Sequence, residues 1–213
     1  MFIRTILAAG MTVIPCHASA EIFSHSIPSS SMYPTLIPGD LIGATSYVDS
    51  ESIARGDVVT HRQKTNGETV IFVRRVMGLP GEKIQVRRGI VYVNDAPLRL
   101  EPQDKLPDVT CPKNFMEQEE DCTFYREFSP SDQESHIVVS LQSNAVGDNT
   151  KEFDVPADHY FLMGDNRDNS LDSRFGPGFI SKSDIVAKVR MIWSTQTPGD
   201  RDARLKGFPG LKD

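Results

Sequence analysis

A chain of 213 residues holds one domain, or one core with a sizeable insertion. With 24% charged and 38% hydrophobic residues, it is neither a disordered polyampholyte nor a polytopic membrane protein. The 23 Lys+Arg against 29 Asp+Glu give a net charge of -6, which argues against a nucleic-acid partner.

The chain starts Met1-Phe2-Ile3-Arg4 and runs into a mostly apolar stretch, Thr5 to Cys16. As a helix that stretch reaches roughly 18 Å, short of the roughly 30 Å hydrocarbon core of a bilayer. Pro15 interrupts it, and His17-Ala18-Ser19-Ala20 follows, with small residues in the A-x-A arrangement that secretory processing reads. A cleavable signal peptide, a short or tilted membrane anchor, and a buried N-terminal element all stay open. The first two send the remaining chain out of the cytoplasm. Cys16 lies within the apolar stretch, leaving Cys111 and Cys122 as an even pair. An oxidising compartment permits a bridge between them, with two free thiols as the alternative. Two cysteines without a nearby His or acidic partner pattern make a poor zinc site.

Beyond the N-terminus, strand patterns dominate. Leu41 to Tyr47, Asp57 to His61, Val70 to Met77 and Lys83 to Val86 are β-branched or alternating runs separated by Gly, Pro and Asn. Arg87-Arg88-Gly89 predicts a tight turn into Ile90 to Val93, and Asn94-Asp95 opens another. Thr123 to Glu127, His136 to Leu141, His159 to Met163 and Ile185 to Trp193 complete the set. No helical periodicity longer than two turns follows the N-terminal stretch. The expected fold is mostly β, with an antiparallel barrel-like or sandwich core. The more polar stretch from about Leu98 to Pro156, with its cysteine pair, reads as a β-rich insertion on that core.

Three motifs carry chemistry. The first is Ile27-Pro28-Ser29-Ser30-Ser31-Met32-Tyr33-Pro34-Thr35-Leu36, followed by Gly39-Asp40. Three serines in a row usually mean a polar loop. Here the two prolines stiffen the segment, and Met32 and Leu36 can anchor it, a setting that holds one hydroxyl still. The second motif is Gly56-Asp57-Val58-Val59, leading to Arg74-Arg75-Val76-Met77-Gly78-Leu79-Pro80-Gly81-Glu82. The third is Met163-Gly164-Asp165-Asn166-Arg167-Asp168-Asn169-Ser170-Leu171-Asp172-Ser173-Arg174. Its Asp and Asn content allows a calcium-loop reading. Arg167, however, sits at the third ligand position, where a cation repels the metal.

In this order and spacing the motifs resemble those of bacterial type I signal peptidases, peptidase family S26, over about Ile27 to Trp193. The resemblance implies that Ser31 is the nucleophile and that the Ser29 hydroxyl joins the Ser31 backbone N–H in an oxyanion hole. It implies Ser170 as a hydrogen-bond partner of the general base, with Asp172 and Arg174 as a supporting ion pair. No metal or organic cofactor is required. The implied division is a signal peptide or anchor at 1–20, a catalytic β core at 21–97 and 157–213, and an inserted subdomain at 98–156. The implied activity is a serine endopeptidase that cuts exported preproteins after small residues at the -1 and -3 positions of their signal peptides. It would act at the membrane surface with its catalytic domain on the periplasmic side, or in the periplasm if the N-terminus is removed.

One position departs from the pattern. The family's general base is a lysine, and Arg74 occupies its place. A buried lysine can lose 3–5 pKa units and become a free amine. Arginine starts at about 12.5–13.8, so reaching about 8 costs roughly 7 kcal/mol. Strand alternation sets Arg75 on the opposite face, so a one-residue slip offers only another arginine. Lys64 lies in a polar Thr-Asn-Gly turn and is expected out of reach. His61, His136 and His159 are expected on sheet or surface rather than beside Ser31. Two alternatives stay open, the first of them motivated by Arg74. One is a non-catalytic relative that binds exported or pilus-type precursors. The other is a peptidase dedicated to one secretion or conjugation system.

Overall fold

Gly, Pro and Asn separate the apolar runs of this chain, so turns are frequent and most strands are short. A computed structural model describes residues 19–48, 50–103, 111, 121–131 and 133–194. Residues 1–18, where the signal peptide or anchor is expected, lie outside the described residues. Among the described residues, no helix is long and apolar enough to cross a membrane.

The strands are β1 (Ile22–Ser26), β2 (Leu41–Thr45), β3 (Val58–Thr65), β4 (Glu68–Gly78), β5 (Lys83–Arg87), β6 (Ile90–Val93) and β7 (Ala96–Pro97). They continue with β8 (Leu100–Gln103), β9 (Thr123–Phe128), β10 (Ser135–Ser140), β11 (Phe153–Asp154), β12 (His159–Met163), β13 (Ile180–Ser181) and β14 (Ile185–Ser194). The main sheet has seven strands in the order β1-β2-β14-β3-β4-β12-β13, antiparallel throughout. Two smaller antiparallel sheets follow, β11-β5-β6-β7 and β10-β9-β8. The mostly β, antiparallel expectation holds. The core is layered rather than a closed barrel, because β1 and β13 remain edges of the main sheet.

Turn chemistry sets the registers. Asn66 and Gly67 join β3 to β4, both at positive φ (52° and 85°), as a type I′ hairpin turn requires. Arg88 and Gly89 do the same for β5 and β6, at 50° and 77°. β1 and β8 were not legible in the sequence. Ile22–Ser26 lacks a sustained apolar alternation, and β8 carries Pro102, which is tolerated because β8 is an edge strand.

Two faces of the sheet bury separate apolar clusters. Ile27, Met32, Leu36, Ile42, Val58 and Val189 form one of them, which holds down the loop between β1 and β2. On β4, Met77 joins Ile84, Val86, Val91, Phe161 and Met163, packing the four-stranded sheet onto β4 and β12. Val76 joins Val59, Tyr160 and Leu162 in another cluster. Burying a side chain of this kind stabilises by roughly 1.5–3 kcal/mol, so each cluster suffices to fix a strand's register. Cys111 and Cys122 are bonded, with an S–S distance of 2.03 Å.

Candidate active site

Three segments converge on Ser31. The loop from Ile27 to Asp40 is closed at its base by the Ile27 N–H to Asp40 carbonyl bond and the Gly39 N–H to Ile27 carbonyl bond, each 2.8 Å. Met32 and Leu36 are buried as anchors, as their apolar character predicted. β4 supplies Arg74, paired with Val59 of β3. The loop that leaves β12 at Gly164 supplies the third motif. Gly164 is needed there, since a Cβ would lie 2.5 Å from the Ser31 carbonyl oxygen and 2.3 Å from Ser170 Oγ.

The reactive geometry is compact. Arg74 Nη1 donates to Ser31 Oγ at 2.8 Å, and Ser29 Oγ lies 3.2 Å from Ser31 Oγ. Arg74 also donates to the carbonyls of Val73 (2.7 Å) and Leu171 (3.1 Å), and its guanidinium lies over the Phe72 ring. Burial pushes Arg74 below the ordinary arginine value, Asp172 pulls it back up and Arg174 pushes it down again. With its N–H groups committed to three acceptors, Arg74 behaves as a donor toward Ser31, not as a proton acceptor.

The expected contact between Ser170 and the base position is absent. Ser170 Oγ is buried without a hydrogen-bond partner, packed against Gly164. The physical reason is the guanidinium fork, which extends to the Leu171 carbonyl instead. Asp172 and Arg174 do form a buried pair, at 2.9 Å through both guanidinium contacts. Asp172 also accepts from the Gly164 N–H at 3.0 Å, so the pair fixes the start of the loop.

Behind the serine lies a charge network that no sequence spacing signals. Arg75, on the face of β4 away from Arg74, grips Asp165 at 2.8 and 2.7 Å, and Thr35 Oγ1 donates to the same carboxylate. Arg167 pairs with Glu127 of β9, and His136 of β10 lies 3.2 Å from Glu127. Burial alone would raise the Asp165 and Glu127 carboxyls. Arg75 overcomes it for Asp165, and Arg167 with His136 for Glu127, so both stay ionised well below the usual carboxylate range. Arg167 spends its charge here, in the position the calcium reading required for an oxygen ligand. Burial, with Arg75 adding to it, lowers His136, so its imidazole is neutral. Glu127 and His136 face each other in the β9–β10 register, and the bridge from Val139 of β10 to Asn166 in the third motif brings Asp165 to them.

The remaining bases lie elsewhere. Lys64 is exposed near the β3–β4 turn. His61 is buried on β3 against Phe72, and burial lowers it to about 4. His159 is half-buried on β12, bonded to the Ala157 carbonyl.

A family model described as signal peptidase, peptidase S26, matches residues 1–194. The chain belongs to that family. A signal peptidase I of Rickettsia prowazekii (strain Madrid E) is 30% identical over 198 residues, covering 79% of this chain and 70% of the relative. One from Rickettsia bellii (strain OSU 85-389) is 27% identical over 198 residues, covering 81% of this chain. The chain spans 65% of the length of that Rickettsia bellii relative. A solved signal peptidase I from Enterococcus faecalis V583 superposes with a TM-score of 0.36 at 25% identity, covering 66% of this chain and 98% of the other.

Proposed function

We infer that the protein is a signal peptidase I-like serine endopeptidase that removes signal peptides from exported preproteins, with Ser31 as nucleophile. The observation that carries this reading is a serine, only 8% exposed, fixed in an anchored loop with its hydroxyl touched by a cation and a second hydroxyl. Family membership supplies the substrate class. Ser31 Oγ attacks the carbonyl carbon of the small -1 residue, and the carbonyl oxygen becomes an oxyanion facing Ser29 Oγ and the Ser31 N–H. The C–N bond then breaks, the departing amine takes a proton from water, and water hydrolyses the Ser31 ester, returning the Ser31 hydroxyl. Donors aimed at charge that develops only in the transition state lower the barrier most.

Arg74 sets the tempo in this scheme. It stays protonated, so the Ser31 proton leaves to solvent hydroxide while Nη1–H stabilises the resulting alkoxide. The rate therefore rises with pH. In this reading 21–97 and 157–213 form the catalytic core, 98–156 is an inserted subdomain, and cleavage takes place at the outer face of the cytoplasmic membrane. The direct test incubates the purified protein with a preprotein carrying an A-x-A site, and follows cleavage and fluorophosphonate labelling by mass spectrometry. Cleavage after the second small residue, with label on Ser31, supports the reading. Tight binding of the preprotein with neither cleavage nor label replaces it with a non-catalytic precursor binder.

A further inference from the structure

The two peptide groups that flank the Ser31 Cα both end on one residue, Asn166. The Asn166 backbone N–H donates to the Ser31 carbonyl at 3.1 Å, and its side-chain Nδ2 donates to the Ser30 carbonyl at 3.2 Å. Asn166 is fully buried, and its own backbone is held in a short parallel bridge with Val139 of β10. The Ser30–Ser31 peptide is planar and trans, so the Ser30 C=O and the Ser31 N–H point in opposite directions. Holding the carbonyl from one side aims the N–H to the other. The Tyr33 N–H, 3.0 Å away, is a second hand on the same carbonyl.

We propose that Asn166 is a positioning residue that aims the Ser31 backbone N–H at the oxyanion and fixes the rotation of Ser31 about its Cα. The role rests on the peptidase reading above. An amide is an expensive choice at this position. Asn166 Oδ1 is buried with no hydrogen-bond partner, a state that costs stability. An apolar residue of similar size would avoid that cost, and what it could not supply is the Nδ2–H to the Ser30 carbonyl. Asn169 reinforces the same loop from outside, donating to Ser30 Oγ at 2.9 Å.

The test uses the full chain, an A-x-A signal-peptide substrate and a peptide boronate that forms a tetrahedral adduct with serine. Asn166→Ala removes Nδ2 and keeps the backbone bond to Ser31. Asn166→Asp keeps the size and turns an acceptor toward the Ser30 carbonyl. With the wild-type thermal midpoint retained in at least one of them, kcat should fall about 10- to 100-fold, less than loss of an oxyanion donor itself. KM should stay within about twofold, because the ground-state carbonyl asks little of the hole. Boronate affinity should fall in parallel with kcat/KM. Unchanged kcat in a folded variant, or a raised KM with kcat intact, overturns the role of Asn166 alone. A wild type that neither cleaves the substrate nor takes label on Ser31 overturns the peptidase reading, and this role with it.

Discussion

Arg74→Lys isolates the one position where the chain departs from the Ser–Lys pattern. In the wild type the guanidinium sits 2.8 Å from Ser31 Oγ and is held by the Val73 and Leu171 carbonyls. Burial lowers its pKa, but the nearby Asp172 and Asp165 carboxylates oppose that shift. Bringing an arginine to about 8 still costs roughly 7 kcal/mol, so it cannot accept the serine proton at useful rates. A lysine in the same buried setting loses its proton far more readily. General-base assistance contributes about 10²–10⁴ in rate. Some of that is forfeited, because lysine leaves the Leu171 carbonyl without its donor. Arg74→Lys should therefore raise kcat/KM on an A-x-A substrate by at least about tenfold at pH 8. Between about pH 6 and 9 the variant's rate should climb with the free amine and level off above the lysine's pKa. The wild-type rate keeps climbing with hydroxide and shows no plateau from residue 74, so the gain is largest below that pKa and shrinks above it. Steady-state cleavage across that range reads both profiles. A fast wild type with a plateau near neutrality, and a neutral or harmful Arg74→Lys, would refute the reasoning and point to another base.

Ser31→Ala should abolish cleavage and fluorophosphonate labelling, whereas Ser29→Ala should slow cleavage by about 10²-fold, in the range of a lost oxyanion donor; single-turnover kinetics separates the two. Acid should destabilise the fold through His61. Burial holds it neutral down to about 4, so the unfolded chain binds a proton below about 6.5 that the native state refuses. Stability is thus fully present above pH 6.5 and falls by about 3 kcal/mol as pH drops to 4. Urea titrations should show that slope, His136 adding to it, and His61→Gln should reduce it by about one proton; a flat profile sinks the assignment. Reducing the Cys111–Cys122 bond, which spans 11 residues, should cost about 3 kcal/mol of unfolding free energy. A shift in the urea midpoint on adding reductant measures it.

Strands with a two-residue period were legible from sequence, because alternation and turn residues are local. Lys83–Arg87, Ile90–Val93 and His159–Met163 lie within a residue of where the pattern puts them. β1 was not legible, since its placement depends on pairing Phe23 with Ala44 and Ser26 with Leu41 across the loop that holds Ser31. At the site, Ser31, Ser29 and Arg74 could be named from motif order, and the structure brings them together. The direction of the Arg74 hydrogen bonds could not be named, because a motif fixes which residue stands on the strand and not which acceptors its fork finds. Ser170 shows the same limit. Its neighbourhood was foreseeable, while its lack of a partner follows from the extra reach of arginine.

Buried charge is the other part that no motif declares, and it explains why the three-stranded sheet β10-β9-β8 matters to the site. Arg167 and Glu127 are nearly inaccessible, as are Arg75 and Asp165. Pairs of this kind return little net stability, yet removing one partner costs about 3–5 kcal/mol, because the other is left charged and dry. Asp165 and Arg167 flank Asn166, the residue that holds both peptide groups of Ser31. One of these anchors runs to β4 of the main sheet and the other to β9 of the three-stranded sheet, whose strands are β8, β9 and β10. The Val139 carbonyl and N–H complete the link, at 2.9 Å to Arg167 and Asp165 respectively. The serine loop is thus braced from two sheets at once. Strands β8, β9 and β10 cannot shift without moving Glu127 off Arg167, and with it the segment that aims Ser31.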